Sequence, residues 1–223
     1  FGDMNRKGYT VFSEYSLIIF NVHFFVWVQK RTDRSLSFRF ETMGWDRLPL
    51  REKSLYFLLN STEGNLVSLN DVKGGNGYLI MFICNHCPYV QAIMSFLIND
   101  TKYLESIGVK SVAIMSNDTK NYPEDSFENM KKFAKDNNFS FPYLYDESQQ
   151  IAKKYSAVCT PDFFGYNKNS ELQYRGRILE ARKLKPLNAG DTELRKAMKL
   201  IAETGKGPQE QKPSLGCSIK WIK

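Results

Sequence analysis

Apolar positions along the chain alternate between short strand-like runs and longer stretches of helical periodicity. Tyr78 to Ile83 is a continuous apolar run of strand length, and Val109 to Met115 is predicted as a second buried strand. Between them, residues 87–107 have apolar side chains at helical spacing, and Gly108 predicts the end of that helix. These patterns predict a strand–helix–strand unit.

Further strands and helices are predicted on both sides of this unit. Leu55 to Leu59 and Leu66 to Leu69 predict an N-terminal hairpin. Downstream, the pattern predicts a helix starting at Tyr122-Pro123-Glu124-Asp125, a strand at Tyr143 to Tyr145, a short helix at Ser148 to Tyr155, a hairpin of Asp162 to Tyr166 with Leu172 to Arg177, and a helix at Thr192 to Thr204. This order predicts an α/β fold with a central mixed β-sheet flanked by helices.

The first 42 residues differ from the rest. Tyr15 to Val28 is a nearly unbroken apolar run, but its length of about 14 residues is short of the ~20 needed to span a bilayer. No small-residue cleavage site follows it. We interpret residues 1–42 as an irregular extension or a gene-model artefact with the true start at Met43, and residues 43–223 as one domain with a tail from about 205. A signal-anchor and an added strand or helix are the alternatives.

Charge and cysteine content exclude some classes of protein. The chain has 31 Lys+Arg and 24 Asp+Glu, a net charge of +7, but the basic residues are dispersed among acids. Dispersed charge is typical of a solvated surface, so we expect no nucleic-acid partner. Four cysteines are too few for a disulfide-stapled secreted protein. We expect a cytoplasmic protein with membrane contact only through residues 9–28, or an anchored or exported one if these act as a signal-anchor.

Cys84-Asn85-His86-Cys87 lies between the apolar strand and the predicted helix. Free N–H groups and the dipole at a helix N-terminus stabilise an anion, and a thiolate is such an anion. The spacing therefore indicates dithiol–disulfide chemistry. We expect Cys84 to be the more exposed, attacking thiolate and Cys87 to resolve the mixed disulfide.

The element order together with this motif resembles the thioredoxin superfamily. Thr160-Pro161, just before Asp162-Phe163-Phe164, lies where that family has its Thr–cis-Pro loop. The Cys-Asn-His-Cys-Pro-Tyr-Val core and the terminal Gly216 to Trp221 are similar to the peroxiredoxin-like (redoxin, or thiol-specific antioxidant) branch. The resemblance covers about Leu48 to Trp221 and implies a thioredoxin-like fold with an extra N-terminal β-hairpin.

The resemblance also implies roles for single residues. His86 would stabilise the thiolate as an imidazolium, or be an exposed loop histidine with little effect. Thr160 and Pro161 would offer a backbone edge to an extended substrate. Arg175 (or Arg177) would stabilise a thiolate or peroxide oxygen, or be a solvated charge.

Two more cysteines lie outside the motif. Cys159 is an auxiliary thiol or a small buried apolar residue. Cys217 is relevant only if the tail folds back, docked by Ile219 and Trp221.

The leading hypothesis is a thiol–disulfide oxidoreductase whose partners are a protein or small-molecule disulfide and a thiol reductant, with no cofactor. The alternative is a peroxiredoxin-like thiol peroxidase. True peroxiredoxins have a Pro and a Thr where this chain has Ile80 and Cys84, which puts that activity in doubt.

A zinc module of Cys84, Cys87, Cys159 and Cys217 has poor spacing for its second pair, so no metal is predicted. The intact Cys-x-x-Cys argues against a non-catalytic scaffold.

Overall fold

The computed structural model describes the backbone of residues 11–12, 15–19 and 26–30 and, further along, residues 52–182, 184–187 and 190–223. The chain divides into two compact units, Phe1–Trp45 and Asp46–Lys223. No helix in these described ranges is long and apolar enough to cross a membrane.

In the first unit, the described strands form one antiparallel sheet. They are β1 (Val11–Phe12), β2 (Tyr15–Ile19) and β3 (Val26–Lys30), with β2 in the centre. At these described residues the chain forms strands, and the predicted division into an extension of residues 1–42 and a domain stays a prediction. The other residues of the predicted extension lie outside the described part of the chain.

The second unit is built on a seven-stranded mixed sheet. Its strands are β4 (Leu58–Ser61), β5 (Leu66–Ser68), β6 (Gly77–Phe82), β7 (Val109–Met115), β8 (Tyr143–Tyr145), β10 (Asp162–Tyr166) and β11 (Leu172–Gly176). They lie in the order β11-β10-β6-β7-β8-β4-β5, and only the pairs β6–β7 and β7–β8 are parallel.

Helices and small two-stranded pairs complete this unit. The helices are α1 (Pro88–Ser106), α2 (Phe127–Asp136), α3 (Gln150–Lys154) and α4 (Glu193–Thr204), with 3-10 turns at Leu69–Val72 and Pro123–Asp125. The small pairs are β9 (Cys159–Thr160) with β14 (Cys217–Ser218), and β12 (Ala181–Arg182) with β13 (Lys185–Pro186).

Side chains of β6 alternate between two apolar layers. Leu79 and Met81 belong to the cluster that contains α1 and α4, whereas Ile80 and Phe82 belong to the opposite cluster with Tyr155. Because β6 is covered on both faces, all of its residues are buried, as a continuous apolar run requires. This central strand carries the chain directly to the Cys-x-x-Cys segment.

The predicted α/β fold with a central mixed sheet is confirmed, including the N-terminal hairpin β4–β5. Strands β7, β8 and β10 have the predicted bounds. Gly108 has φ +77°, the left-handed conformation that ends α1 as predicted. Two helices are shorter than predicted: α2 begins after a separate 3-10 turn, and α3 is limited to five residues.

Candidate active site

The Cys-x-x-Cys segment joins the end of β6 to the start of α1. Helix α1 begins at Pro88, with Cys87 at the N-cap. Proline is favoured in the first helical position, because its φ suits the helix and its missing N–H has no helical acceptor there. The helix N-terminus therefore lies at Cys87, and Cys84 lies on the strand side of the loop.

Both sulfurs of the motif are buried, and both contact Thr160. The Cys84 sulfur lies 3.3 Å from the Thr160 hydroxyl oxygen, and the Cys87 thiol donates to the Thr160 carbonyl oxygen at 3.0 Å. Neither cysteine has accessible surface. The predicted greater exposure of Cys84 is wrong, because both side chains are enclosed in the apolar cluster beneath α1.

The two thiols differ in their tendency to ionise. The interaction with Cys87, then burial and the Asp125 carboxylate, raise the pKa of Cys84 well above its usual value. The pKa of Cys87 is lowered, chiefly by the Cys84 thiol, with the Cys217 thiol and the Thr160 hydroxyl acting in the same direction against burial.

The prediction that Cys84 is the ionised sulfur stays a prediction, and the directions of the two pKa shifts favour Cys87 instead. The unpaired N–H groups of a helix stabilise negative charge only near its first turn, and that place belongs to Cys87. The backbone N–H of Val90, in the first turn, contributes to the lowered pKa of Cys87. These directions favour ionisation of Cys87 over that of Cys84.

Asp125 organises the polar side of the loop. This fully buried carboxylate follows β7 in a 3-10 turn and accepts hydrogen bonds from the Asn85 backbone N–H at 2.8 Å and the Asn117 side-chain amide at 2.7 Å. His86 donates to it through its ring Nδ1 at 2.6 Å. These bonds tie the loop between the cysteines to the segment after β7.

His86 is close enough to the motif to act on it. A ring nitrogen of His86, the Cys84 sulfur and an Asp125 oxygen all lie within 4.8 Å of one another. The ring also stacks on Tyr122, with centroids 5.9 Å apart, and its side chain is 26% exposed. The predicted effect of an imidazolium on the thiolate stays a prediction.

The Thr160–Pro161 peptide bond is cis, as the sequence predicts. The adjoining edge, however, already has a partner. β14 pairs antiparallel with β9, and Cys217 lies opposite Thr160. An extended substrate could pair with the edge of β9 that β14 occupies only if β14 moved away. The substrate-binding role of Thr160 and Pro161 stays a prediction.

Comparison with known proteins agrees with this geometry. The AhpC/TSA family profile matches residues 51–179. The chain belongs to the AhpC/TSA family. The predicted membership of the thioredoxin superfamily, in its redoxin branch, is thereby confirmed.

Solved structures give this AhpC/TSA-family protein close relatives without an assigned activity. An uncharacterised conserved protein from Geobacillus kaustophilus is 44% identical, with a TM-score of 0.72, and the match covers 78% of this chain and 93% of the other. A hypothetical protein from Sinorhizobium meliloti is 36% identical, with a TM-score of 0.73, over 78% and 96%.

A more distant structure shares the fold alone. A putative thiol:disulfide interchange protein DsbE from Chlorobium tepidum is 19% identical, with a TM-score of 0.53, over 70% of this chain and 98% of the other. The comparison with curated proteins finds no match.

The two predicted auxiliary residues lie close to each other, and Cys159 is also close enough to Cys87 for the two to interact electrostatically. Arg175 is buried and donates to the Ser156 carbonyl at 2.6 Å and to Asp162 at 3.5 Å. Burial raises the pKa of Cys159 to about 12, with Asp162 acting in the same direction. The buried Arg175–Asp162 pair excludes the solvated-charge interpretation of Arg175, and the thiol role of Cys159 stays a prediction.

One group of potential metal ligands occurs among the residues that the structure describes: Cys84, His86 and Asp125. A metal there would compete with the hydrogen bond between His86 and Asp125. The group does not include the other three cysteines, so this geometry does not support the four-cysteine zinc alternative.

Sequence reasoning missed two residues of this AhpC/TSA-family site. Asp125 occurs in Pro-Glu-Asp, where acids in a first helical turn are common, so its local context did not distinguish it. Tyr143, which donates to the Asn85 side-chain oxygen at 3.0 Å, was assigned only to a strand. An acidic residue soon after the second core strand was the one available signal.

Proposed function

We propose that this chain is a thiol–disulfide oxidoreductase that cycles Cys84 and Cys87 between dithiol and disulfide. Its membership of the AhpC/TSA family supports a thiol oxidoreductase. One observation supports the specific proposal of a Cys84–Cys87 couple. Both sulfurs contact the same residue, Thr160, and Cys87 lies at the N-terminus of α1. That arrangement holds an ionisable sulfur next to a second thiol.

The first step of the proposed reaction belongs to Cys87. Its thiolate attacks one sulfur of a substrate disulfide, a Cys87–substrate bond forms, and the other substrate sulfur leaves as a thiolate. This reverses the roles predicted from sequence, because the thiolate is the attacking species and the lowered pKa is that of Cys87.

The second step belongs to Cys84. Its sulfur attacks the Cys87 sulfur of the mixed disulfide, the Cys84–Cys87 bond forms, and the remaining substrate sulfur leaves. The proton of Cys84 passes to the departing thiolate. The substrate gains two electrons, and an external thiol reductant returns the protein to the dithiol.

Trapping tests the order of these steps. The double variant Cys84→Ser, Cys217→Ser has neither of the thiols that could resolve a mixed disulfide at Cys87. With excess oxidised glutathione, it is expected to accumulate that mixed disulfide. The matched Cys87→Ser, Cys217→Ser variant should accumulate none. Mass mapping of the adduct reads out both. An adduct on Cys84 alone would contradict the proposed order, and no adduct or turnover in any form would sink the function.

A thiol peroxidase is the second candidate, and the state of Cys87 favours it. Aligned on Cys87-Pro88, this residue takes the place of the peroxide-reducing cysteine of peroxiredoxins. In this reaction the Cys87 thiolate displaces an alcohol or water from the peroxide and becomes a sulfenic acid, and Cys84 then forms the disulfide with loss of water.

Dimedone labelling separates the two candidates. A peroxidase is expected to consume peroxide far faster than free cysteine does, and its Cys84→Ser, Cys217→Ser variant should carry dimedone at Cys87 after peroxide. Consumption at the rate of free cysteine would leave the oxidoreductase alone.

A further inference from the structure

The C-terminal strap, defined as residues 206–222, folds back onto the site. Before Cys217, the Arg177 backbone N–H donates to the Lys212 carbonyl at 3.0 Å, and the Ser214 hydroxyl donates to the Gly176 carbonyl at 2.8 Å. The strap is therefore tied to the end of β11 on its way to the active site.

Anchors after Cys217 are equally specific. Ile219 is 3% exposed in the second apolar cluster. The Lys220 backbone N–H donates to the Asn117 side-chain oxygen at 2.9 Å, and the Lys220 carbonyl accepts from Gln149 at 2.8 Å. Trp221 contacts Lys153 by a cation–π interaction, with the amine 5.6 Å from the ring centroid. Cys217 is thus held from both sides.

The pairing of β14 with β9 sets the position of Cys217. It lies opposite Thr160, the residue that contacts both Cys84 and Cys87. A Cβ at Gly216 would overlap the Thr160 carbonyl oxygen, so the close approach of the strap depends on glycine there.

From its position opposite Thr160, the Cys217 thiol acts electrostatically on Cys87. This interaction helps to lower the pKa of Cys87, and after burial it is the next cause that raises the pKa of Cys217 to about 11. Cys87 therefore has two thiol neighbours, Cys84 on one side and Cys217 on the other. Cys84, Cys87 and Cys159 are buried, whereas Cys217 is partly exposed.

We infer that Cys217 is a third redox-active cysteine, which exchanges with the Cys84–Cys87 disulfide at the Cys87 sulfur and presents a Cys87–Cys217 disulfide to an external dithiol reductant. The inference rests on the proposed function and supplies its route to solvent. It identifies the place where electrons enter the buried couple.

Exchange within the protein conserves electrons. The Cys217 sulfur attacks Cys87, the Cys87–Cys217 bond forms, the Cys84–Cys87 bond breaks, and Cys84 takes the proton that Cys217 gives up. A thiolate of the reductant then attacks the partly exposed Cys217 sulfur and Cys87 leaves. The second thiol of the reductant releases Cys217, and the reductant becomes a disulfide.

The leaving group suits this route. Thiol–disulfide exchange is faster when the departing sulfur has a low pKa. Attack at Cys217 expels Cys87, whose thiolate is the stabilised one, whereas attack at Cys87 of the buried couple would expel Cys84. Access and leaving-group stability therefore both favour Cys217 as the point where the external reductant attacks, whereas the preceding internal exchange expels Cys84, which takes the proton from Cys217.

A first experiment removes Cys84 and asks whether the other two sulfurs join. The Cys84→Ser variant is treated with excess oxidised glutathione, digested without reduction and mapped by mass spectrometry. We expect the Cys87 and Cys217 peptides to be joined. Persistent glutathione on Cys87, or no Cys87–Cys217 linkage, overturns the inference.

A second experiment measures re-reduction of the full chain. Dithiothreitol should reduce the Cys84–Cys87 disulfide of the Cys217→Ser variant at least about tenfold more slowly than that of the wild type, because the accessible sulfur is gone. Ser218→Ala, at the exposed neighbouring position, is the matched control and should react like the wild type. Equal rates for Cys217→Ser and wild type overturn the inference.

The Gly216→Ala variant retains all four thiols but displaces the strap, so dithiothreitol should reduce its disulfide as slowly as that of Cys217→Ser. Reduction at the wild-type rate would contradict the role of the strap in placing Cys217.

The proposed function is judged separately. It requires the Cys84–Cys87 disulfide to form in the Cys217→Ser variant, whatever the rate of its reduction.

Discussion

The two ends of the Cys-x-x-Cys loop have opposite electrostatic surroundings. At the strand end, Cys84 faces the buried carboxylate of Asp125, and its pKa is raised. At the helix end, Cys87 is the N-cap of α1, and the thiols of Cys84 and Cys217 lower its pKa. Two thiols separated by one short loop therefore differ: the surroundings of Cys84 favour its protonated form, and those of Cys87 favour its thiolate.

This difference shows that the neighbours of each sulfur set the direction of its pKa: at Cys87 these are chiefly the Cys84 thiol, then Cys217 and Thr160, with a smaller contribution from the first turn of the helix. The stabilising N–H groups act only on the first turn, and Pro88 fixes where that turn begins. Each prediction below weakens or strengthens one side of the comparison.

The largest effect is expected from Cys87→Ser. Its rate of reaction with a small disulfide at pH 7 should fall at least about a hundredfold, because a thiol with a pKa well above neutral is ionised to about 1% or less. The rate in a stopped-flow single turnover measures it. Cys84→Ser is the control and should retain the first attack; a larger loss in Cys84→Ser than in Cys87→Ser would contradict the assignment.

A smaller effect is expected from Asp125→Asn, which removes a negative charge from the strand end. The lost repulsion lowers the pKa of Cys84, so its thiolate fraction at pH 8 should rise by about tenfold or more. Cysteine ¹³Cβ chemical shifts followed against pH resolve each thiol. Glu124→Gln, at the exposed preceding residue, should leave both thiols unchanged. An unmoved Cys84 in Asp125→Asn would show that the interaction with Cys87 and burial set its pKa without Asp125.

The smallest effect is expected from Thr160→Val, which removes a hydroxyl that helps both sulfurs to ionise. Both pKa values should rise, and thiolate fractions should change less than about tenfold, since one hydrogen bond contributes about 0.5–1.5 kcal/mol. The same ¹³Cβ titration measures it. Thr160→Ser restores the hydroxyl and should restore both pKa values; its failure would attribute the effect to packing.

Most of the fold was predictable because local patterns determine it. The continuous apolar run of β6 can be buried on both faces only inside a covered sheet, and Leu194, Ala197, Met198 and Ile201 form the predicted inward face of α4. Gly108 ended α1 for a local reason as well. These features depend on residues close in sequence.

The missed features of the site depend on residues far apart in sequence. Asp125 reaches His86 across the end of the sheet, and nothing in Pro-Glu-Asp indicates that partner. The strap has no periodicity, so the sequence left open whether the tail folds back, and in the structure Cys217 lies opposite Thr160. The choice between Cys84 and Cys87 depends on such distant residues as well, because Asp125 helps to raise the pKa of Cys84, and Cys217 and Thr160 help to lower that of Cys87.

The charge of one sulfur tests the account most directly. Thiolate absorbance at 240 nm is titrated in the reduced wild type, Cys84→Ser and Cys87→Ser. The account predicts a thiolate at pH 7 in the wild type, a smaller thiolate fraction in Cys84→Ser because the chief cause of the lowered Cys87 pKa is weakened there, and none in Cys87→Ser. A thiolate that persists in Cys87→Ser and disappears in Cys84→Ser would contradict it.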